Sequence, residues 1–311
     1  MRILQLVSSM DAGGLERVVQ QLAIGLQKAG HKTSLACLDH TGVMADECRF
    51  DNVWTGHIKR GALPVDLSCL WRLRKFVRAQ EIDIIHSHNP QPLIYGTLIL
   101  LLTGVPVVHT VHGRGKTEDP KQQRKAFIRR NCARFIRRMV AISDDVHTKL
   151  REVDCIPAEK LTTILNGAEI PSLKTAVEQQ EARKTLGLPE NAFIFGSVGR
   201  ICSEKNYVLL VEAFARVRRD LPNAHLVIVG DGSETPSIAA TVKRLDLENA
   251  VTLPGMQSDV DTWLRAIDIF SLSSTTEGTA MALLEAGAMG IPAVVTDVGG
   301  NPEVVLHDKT G

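Results

Sequence analysis

Residues 273–290 read SSTTEGTAMALLEAGAMG, and the way this stretch divides decides the fold. The run before it, DIFSL at 268–272, is short and apolar, as a buried strand is. From about Thr279 the residues turn small and apolar, in keeping with a helix. The expected unit is strand, loop, helix. A helix start exposes unpaired backbone N–H groups and the positive end of its dipole, so Gly278, Thr279 and Ala280 are placed to meet an anion such as a phosphate. Gly278 also lets a ligand approach the backbone closely. Glu277 stands in the loop above that anion, and Glu285 lies in the helix, about 10 Å further along at 1.5 Å per residue. Carboxylates accept from pairs of hydroxyls. The spacing suits a ligand with a diphosphate at its centre and sugars at both ends. The plain alternative makes Glu277 a capping acid and Glu285 a solvated helix residue.

The two glutamates form the pattern E-x7-E, which alone is common in helices. With the strand before it and GIPAVVTDVGGNPEVV at 290–305 after it, the pattern resembles the donor site of retaining GT-B glycosyltransferases of family 4 type (glycosyl transferases group 1). The resemblance covers nearly the whole chain. It implies an α/β protein of two Rossmann-like domains facing across a cleft: an acceptor-side domain at 1–170 and a nucleotide-sugar donor domain at 171–311. Relatives continue with a further strand and helices, so the resemblance also implies a C-terminal domain incomplete at Gly311.

The length, 311 residues, fits two domains. The net charge of +1 hides an asymmetry: residues 1–170 hold 24 Lys and Arg against 17 Asp and Glu, and residues 171–311 hold 12 against 18. The acidic second half argues against wholesale nucleic-acid binding, and the basic first half points to an anionic surface or substrate. Six scattered cysteines without a C-x-x-C make neither a disulfide framework nor a zinc pattern, and fit reduced cytoplasmic thiols. The opening MRILQLVSS is too short an apolar run for a secretion signal.

In chain order, an apolar run at 2–7 passes through SSMDAGG into an amphipathic helix. Gly13 and Gly14 stand at that junction, where the resemblance puts donor or acceptor contacts; a plain tight turn is the alternative. A strand follows at 32–39, residues 40–63 are weakly patterned, and Pro64 is expected to open a helix. A strand at 82–86 ends in HSHN, a helix covers 90–103, and a strand at 105–111 ends at His112. Carboxyl ends of parallel strands are where ligands bind in such folds. His112 resembles the family's cleft histidine, which contacts the transferred sugar. His86, His88 and His109 read as packing residues. Residues 119–138 read as one helix, basic from Lys121 to Arg138 with Phe127, Ile128, Phe135 and Ile136 interleaved. Such a face can lie on anionic lipid, placing the protein peripherally at the inner membrane face, or it can be a solvated helix packed on its apolar side. Ser143 with Asp144 and Asp145 caps the next helix. Asn166 and Gly167 resemble the family's hinge pair and are also ordinary turn chemistry.

A new β-α series opens at Phe193. Its loop, GRICSEKN at 199–206, carries Arg200 and Lys205, a fork-shaped and a point cation that together neutralise a diphosphate leaving group. They resemble the family's paired donor-phosphate contacts, with Gly199 beside them. The turn GDG, with Gly230 and Gly232, falls where the family binds the nucleotide base. Asp259-x-Asp261 could hold a metal elsewhere, but here opens a helix, so no metal is expected. No cofactor is implied; the nucleotide sugar is a co-substrate and the acceptor a glycan or lipid-linked glycan. Rival readings are a nucleotide-sugar epimerase of the same fold and a non-catalytic truncated homologue.

Overall fold

The computed structural model describes residues 1–11, 13–45, 49–59, 65–113, 115, 119–169 and 172–311. It divides into two compact units, Met1–Asn166 and Gly167–Gly311. The division falls at the Asn-Gly pair, a few residues before the expected boundary at 170.

In the first unit seven strands, β1 (Arg2–Val7), β2 (Lys32–Cys37), β3 (Asn52–Thr55), β4 (Ile84–His88), β5 (Val107–Val111), β6 (Arg138–Ala141) and β7 (Leu161–Thr163), make one sheet in the order β3-β2-β1-β4-β5-β6-β7. Every pairing is parallel. The connecting helices are α1 (Gly14–Lys28), α2 (Leu67–Ala79), α3 (Pro90–Thr103), α4 (Pro120–Ala133) and α5 (Asp144–Glu152). Parallel strands covered on both faces read as near-continuous apolar runs, and β1 is buried along all but its first residue. The helix α3 is apolar all round because it lies against α2, α4 and the sheet. Its left-handed cap at Gly104 ends it. As expected, the Ser143 hydroxyl accepts from the Val146 amide and caps α5.

Three expectations need correction. The weakly patterned segment contains β3, an edge strand of four residues paired to β2, too short to show a period in the sequence. The helix expected from Pro64, which lies outside the described residues, begins at Leu67; Asp66 is its cap, accepting from the Ser68 and Cys69 amides. The basic helix expected over 119–138 stops at Ala133. The amides of Phe135 and Ile136 close back on Cys132, and the Arg137 amide reaches Val107 O at 2.7 Å, so sheet pairing with β5 captures Arg138 as a strand residue. Tertiary pairing overrides local helix preference here.

In the second unit α6 (Ala176–Leu186) precedes β8 (Phe193–Val198), α7 (Tyr207–Asp220), β9 (Ala224–Val229), α8 (Thr235–Arg244), β10 (Val251–Gly255), α9 (Val260–Ala266), β11 (Ile269–Leu272), α10 (Met281–Ala288), β12 (Ala293–Val295) and α11 (Asn301–Val304). Five parallel strands run in the order β10-β9-β8-β11-β12. No helix among the described residues is long and apolar enough to cross a membrane.

Candidate functional site

In the second unit the chain builds outward from β8 through β9 to β10, then returns to lay β11 on the other side of β8. Loops leaving β8 and β11 therefore diverge at their carboxyl ends, which is where open parallel sheets bind ligands. Those loops are 199–206 and 273–280, the two that carry the expected donor residues. They are stitched together. The Ser273 hydroxyl donates to Lys205 O and Asn206 O at 3.0 and 2.9 Å, and the Thr275 amide donates to Glu204 O at 2.8 Å. Lys205 Nζ donates to Glu277 Oε1 at 2.5 Å, and the Ser274 hydroxyl donates to the same oxygen at 2.6 Å. Both charged side chains are largely enclosed, at 18% and 11% exposure. The buried Tyr207 hydroxyl lies nearby, and burial together with the Glu277 charge raises its pKa.

The helix α10 starts at Met281, so Gly278, Thr279 and Ala280 form the approach to it and not its first turn. The Ala280 side chain makes no cap bond, and the Leu283 amide donates back to Ala280 O at 3.1 Å. Glu285 lies on the second turn of α10, about 6 Å of rise from Met281. Arg200 is exposed and makes no side-chain hydrogen bond or ion pair among the described residues. Glycine is required where these loops press on each other. A Cβ on Gly230 (φ +139) would lie 2.0 Å from Gly199 O, and one on Gly232 would lie 2.1 Å from Ile201 O. A Cβ on Gly299 (φ +58) would lie 2.0 Å from Glu277 O. Gly230 and Gly232 thus have a packing reason to be glycine, whatever they bind. Asp259 caps α9 by accepting from the Thr262 amide, and Asp261 pairs with Arg265. No group of three or more His, Cys, Asp or Glu in metal-holding geometry occurs among the described residues.

The first unit has its own switch point, between β1 and β4. Gly13 is the extended N-cap of α1 and Gly14 its first residue, on the loop leaving β1. Gln5, His88 and His112 form a chain across neighbouring strands. Gln5 Oε1 lies 2.9 Å from His88 Nε2, and His88 Nδ1 lies 2.8 Å from His112 Nε2. With Gln5 Oε1 accepting from His88, His88 accepts from His112, and His112 Nδ1 is left as an acceptor. Burial pushes the His112 and His109 imidazoles down to about 3 and His86 down to about 4, and holds His88 well below its ordinary value. These rings are neutral at neutral pH, so they supply hydrogen-bonding atoms and no charge. A cavity of about 240 Å³ opens beside them, lined by Asn89, His109, His112, Gly113, Lys125 and Arg129 among others. Asn89 sits at φ 72, ψ 156, a conformation sparsely used by non-glycine residues.

Residues 12–170, just over half the chain, match the family model described as Glycosyltransferase Family 4. The chain belongs to the family 4 glycosyltransferases. Residues 178–311 match a second model of that group, Glycosyl transferases group 1. Among relatives, the chain is 30% identical over 255 residues to the UDP-Gal:alpha-D-GlcNAc-diphosphoundecaprenol alpha-1,3-galactosyltransferase of Escherichia coli, covering 79% of this chain and 66% of that one. It is 29% identical over 257 residues to N-acetyl-alpha-D-glucosaminyl L-malate synthase of Bacillus anthracis, covering 80% and 65%. It is 26% identical over 335 residues to D-inositol 3-phosphate glycosyltransferase of Pseudarthrobacter chlorophenolicus, covering 97% and 78%. The chain spans about two thirds of the length of the first two. In fold it is similar to Anabaena HepE in complex with UDP and glucose (TM-score 0.84, 24% identity, 99% of this chain and 83% of that one). It is also similar to WaaG, a glycosyltransferase involved in lipopolysaccharide biosynthesis (TM-score 0.78, 16% identity, 97% and 83%). This is the two-domain GT-B fold expected of the family.

Sequence reasoning missed several residues that build these sites. Ser273 and Ser274 were part of the quoted stretch but had no role; a serine pair at a strand's carboxyl end is the signal that could have found them. Gln5 and His88 were missed because only the strand register sets β1, β4 and β5 side by side, with Gln5 opposite His86 and His88 opposite Thr110.

Proposed function

We propose that the chain transfers a sugar from a nucleoside-diphosphate sugar to an acceptor hydroxyl, without a metal and with retention of anomeric configuration. The observation that carries this is the meeting of Lys205 and Glu277 at the switch point of the second unit, next to the start of α10. Breaking the donor C–O bond puts negative charge on the leaving diphosphate and cationic character on the sugar. Lys205, with two N–H bonds beyond the one given to Glu277, Arg200, whose side chain has no partner among the described residues, and the α10 amides receive the first. Glu277 is fixed through Oε1 by Lys205 and Ser274, and Oε2 then accepts from sugar hydroxyls. Glu285 is assigned to the ribose, and Gly199, Gly230 and Gly232 to the backbone wall around the nucleotide. His112 orients the sugar or the acceptor through Nδ1, with Gly13, Gly14 and Asn166 as further backbone contacts.

The relatives' names support a UDP-sugar donor, since one begins UDP-Gal and HepE was solved with UDP and glucose. The acceptor words in the three relatives' names, a diphospholipid, malate and an inositol phosphate, each carry an acid. A lipid-linked acceptor also fits the outward surface of α4 and the turn after it. Phe127 and Phe135 are exposed there among Lys121, Arg124, Arg130, Arg134 and Arg137, a face suited to anionic headgroups. The test is incubation with UDP-, GDP- and ADP-sugars in EDTA. One donor is expected to raise the melting temperature and release its nucleoside diphosphate slowly. If none raises the melting temperature, the reading fails.

A further inference from the structure

The cavity of the first unit contains a feature that orienting a neutral sugar does not require. Arg129 is 2% exposed and lines the cavity. Its Nε donates to Asp154 Oδ2 at 2.5 Å, deep between α4 and the end of α5, but its buried Nη2 has no partner among the described residues. A buried guanidinium N–H left unpaired is costly, and native structures seldom keep one without a use. Lys125, one turn earlier on α4, lines the same cavity, is half-buried, and has no ion pair among the described residues. Two cations four residues apart on a helix repel unless an anion sits between or beside them. Among the described residues the only carboxylate bonded to either is Asp154, and it faces Arg129 through Nε. The remaining titratable groups on the cavity wall among the described residues, His109 and His112, are neutral at neutral pH.

The amino end of α3 also borders the cavity, but Pro90 and Pro92 remove two of its first-turn N–H groups. Side chains, not the helix start, must therefore hold any anion there.

We infer that this cavity binds an oxyanion, a phosphate or carboxylate group carried by the acceptor, through Arg129 Nη2 and Lys125 Nζ, while His112 Nδ1 accepts from a neighbouring hydroxyl of the same molecule. This rests on the proposed transferase reading and names the acceptor's chemical class: a small or lipid-borne molecule with an acidic group beside the hydroxyl that is glycosylated. Arg129 is held by Asp154 as a fixed donor, which lowers the ordering cost of recognising a planar or tetrahedral anion.

The test is a titration of the full chain, labelled for histidine ring NMR and saturated with UDP, with inorganic phosphate in one arm and succinate in the other. Potassium chloride at matched ionic strength is the control. The His109 and His112 ring signals are expected to shift saturably with one of the two anions, and the tighter arm identifies the acidic group. Lys125→Ala, which removes no buried partner, is expected to weaken that anion about tenfold. Rings unmoved by either anion, or moved equally in Lys125→Ala, would overturn the inference. UDP binding in the same samples separates the two proposals: if UDP binds and neither anion does, only this inference falls, whereas absent UDP binding counts against the donor site.

Discussion

Acidification should destabilise the first unit well before the second, and the histidine chain sets the size of the effect. His109 is 1% exposed and His88 fully enclosed, and their hydrogen-bond partners are Ser87, Gln5 and His112 rather than carboxylates. Burial first, then the neighbouring His112 and Arg129, oppose an imidazolium at His109, and the hydrogen bond to Ser87 O offsets them only in part. In the unfolded chain each ring titrates at about 6.5. In the folded chain His109 and His112 titrate at about 3 and His86 at about 4. Between those values the unfolded state binds more protons, so stability is fully present above about pH 6.5 and is lost as pH falls toward 3. At pH 5 the loss is about 1.4 kcal/mol per pH unit over 1.5 units, or about 2 kcal/mol for His109 alone. The four rings are coupled, so their sum is less than additive but exceeds the single value. Against a typical domain stability of about 5–15 kcal/mol this is a large fraction. The second unit has only His225 and His307, and His307 is exposed. Guanidinium unfolding followed by Trp54 in the first unit and Trp263 in the second should show the Trp54 transition moving to lower denaturant between pH 7 and pH 5, with the Trp263 transition moving less. A flat Trp54 transition over that range, or a His109 ring that titrates near 6.5 in the folded protein, would refute the reasoning.

Other outcomes follow from packing. Asp154→Ala leaves the Arg129 guanidinium buried without its partner and is expected to cost about 3–5 kcal/mol in the first unit's denaturant transition, leaving the second unchanged. Gly299→Ala drives a Cβ into Glu277 O and is expected to lower UDP affinity at least about tenfold by displacing the Glu277 loop, read by calorimetry. Gly287→Ala, on α10 with open space at its Cβ, should instead raise stability by up to about 1 kcal/mol through helix preference.

Much of the fold was legible because parallel strands covered on both faces announce themselves as apolar runs. The bounds 90–103 for α3 and 2–7 for β1 match because Pro90, Gly104 and the apolar run mark them locally. The loops at 199–206 and 273–280 were legible for a different reason: glycines, two cations and Glu277 stand at strand ends, where ligands gather in open parallel sheets. What the pattern could not carry was anything set by pairing across the chain. The stop of α4 depends on β5 capturing Arg138, and β3 is a strand only because β2 offers it an edge. The Lys205–Glu277 pair joins residues 72 apart, so spacing placed both at one end of the sheet without showing that they bond to each other. Likewise the histidines were treated singly, while their chemistry comes from a chain that register alone assembles.

The central claim is that Lys205 serves a nucleoside diphosphate at the end of β8. Calorimetric titration of UDP into the wild-type chain and Lys205→Ala, with circular dichroism confirming that both are folded, tests it most directly. A Kd at least about tenfold weaker in the variant is the result this account predicts. Equal UDP affinity in the two folded proteins would contradict it.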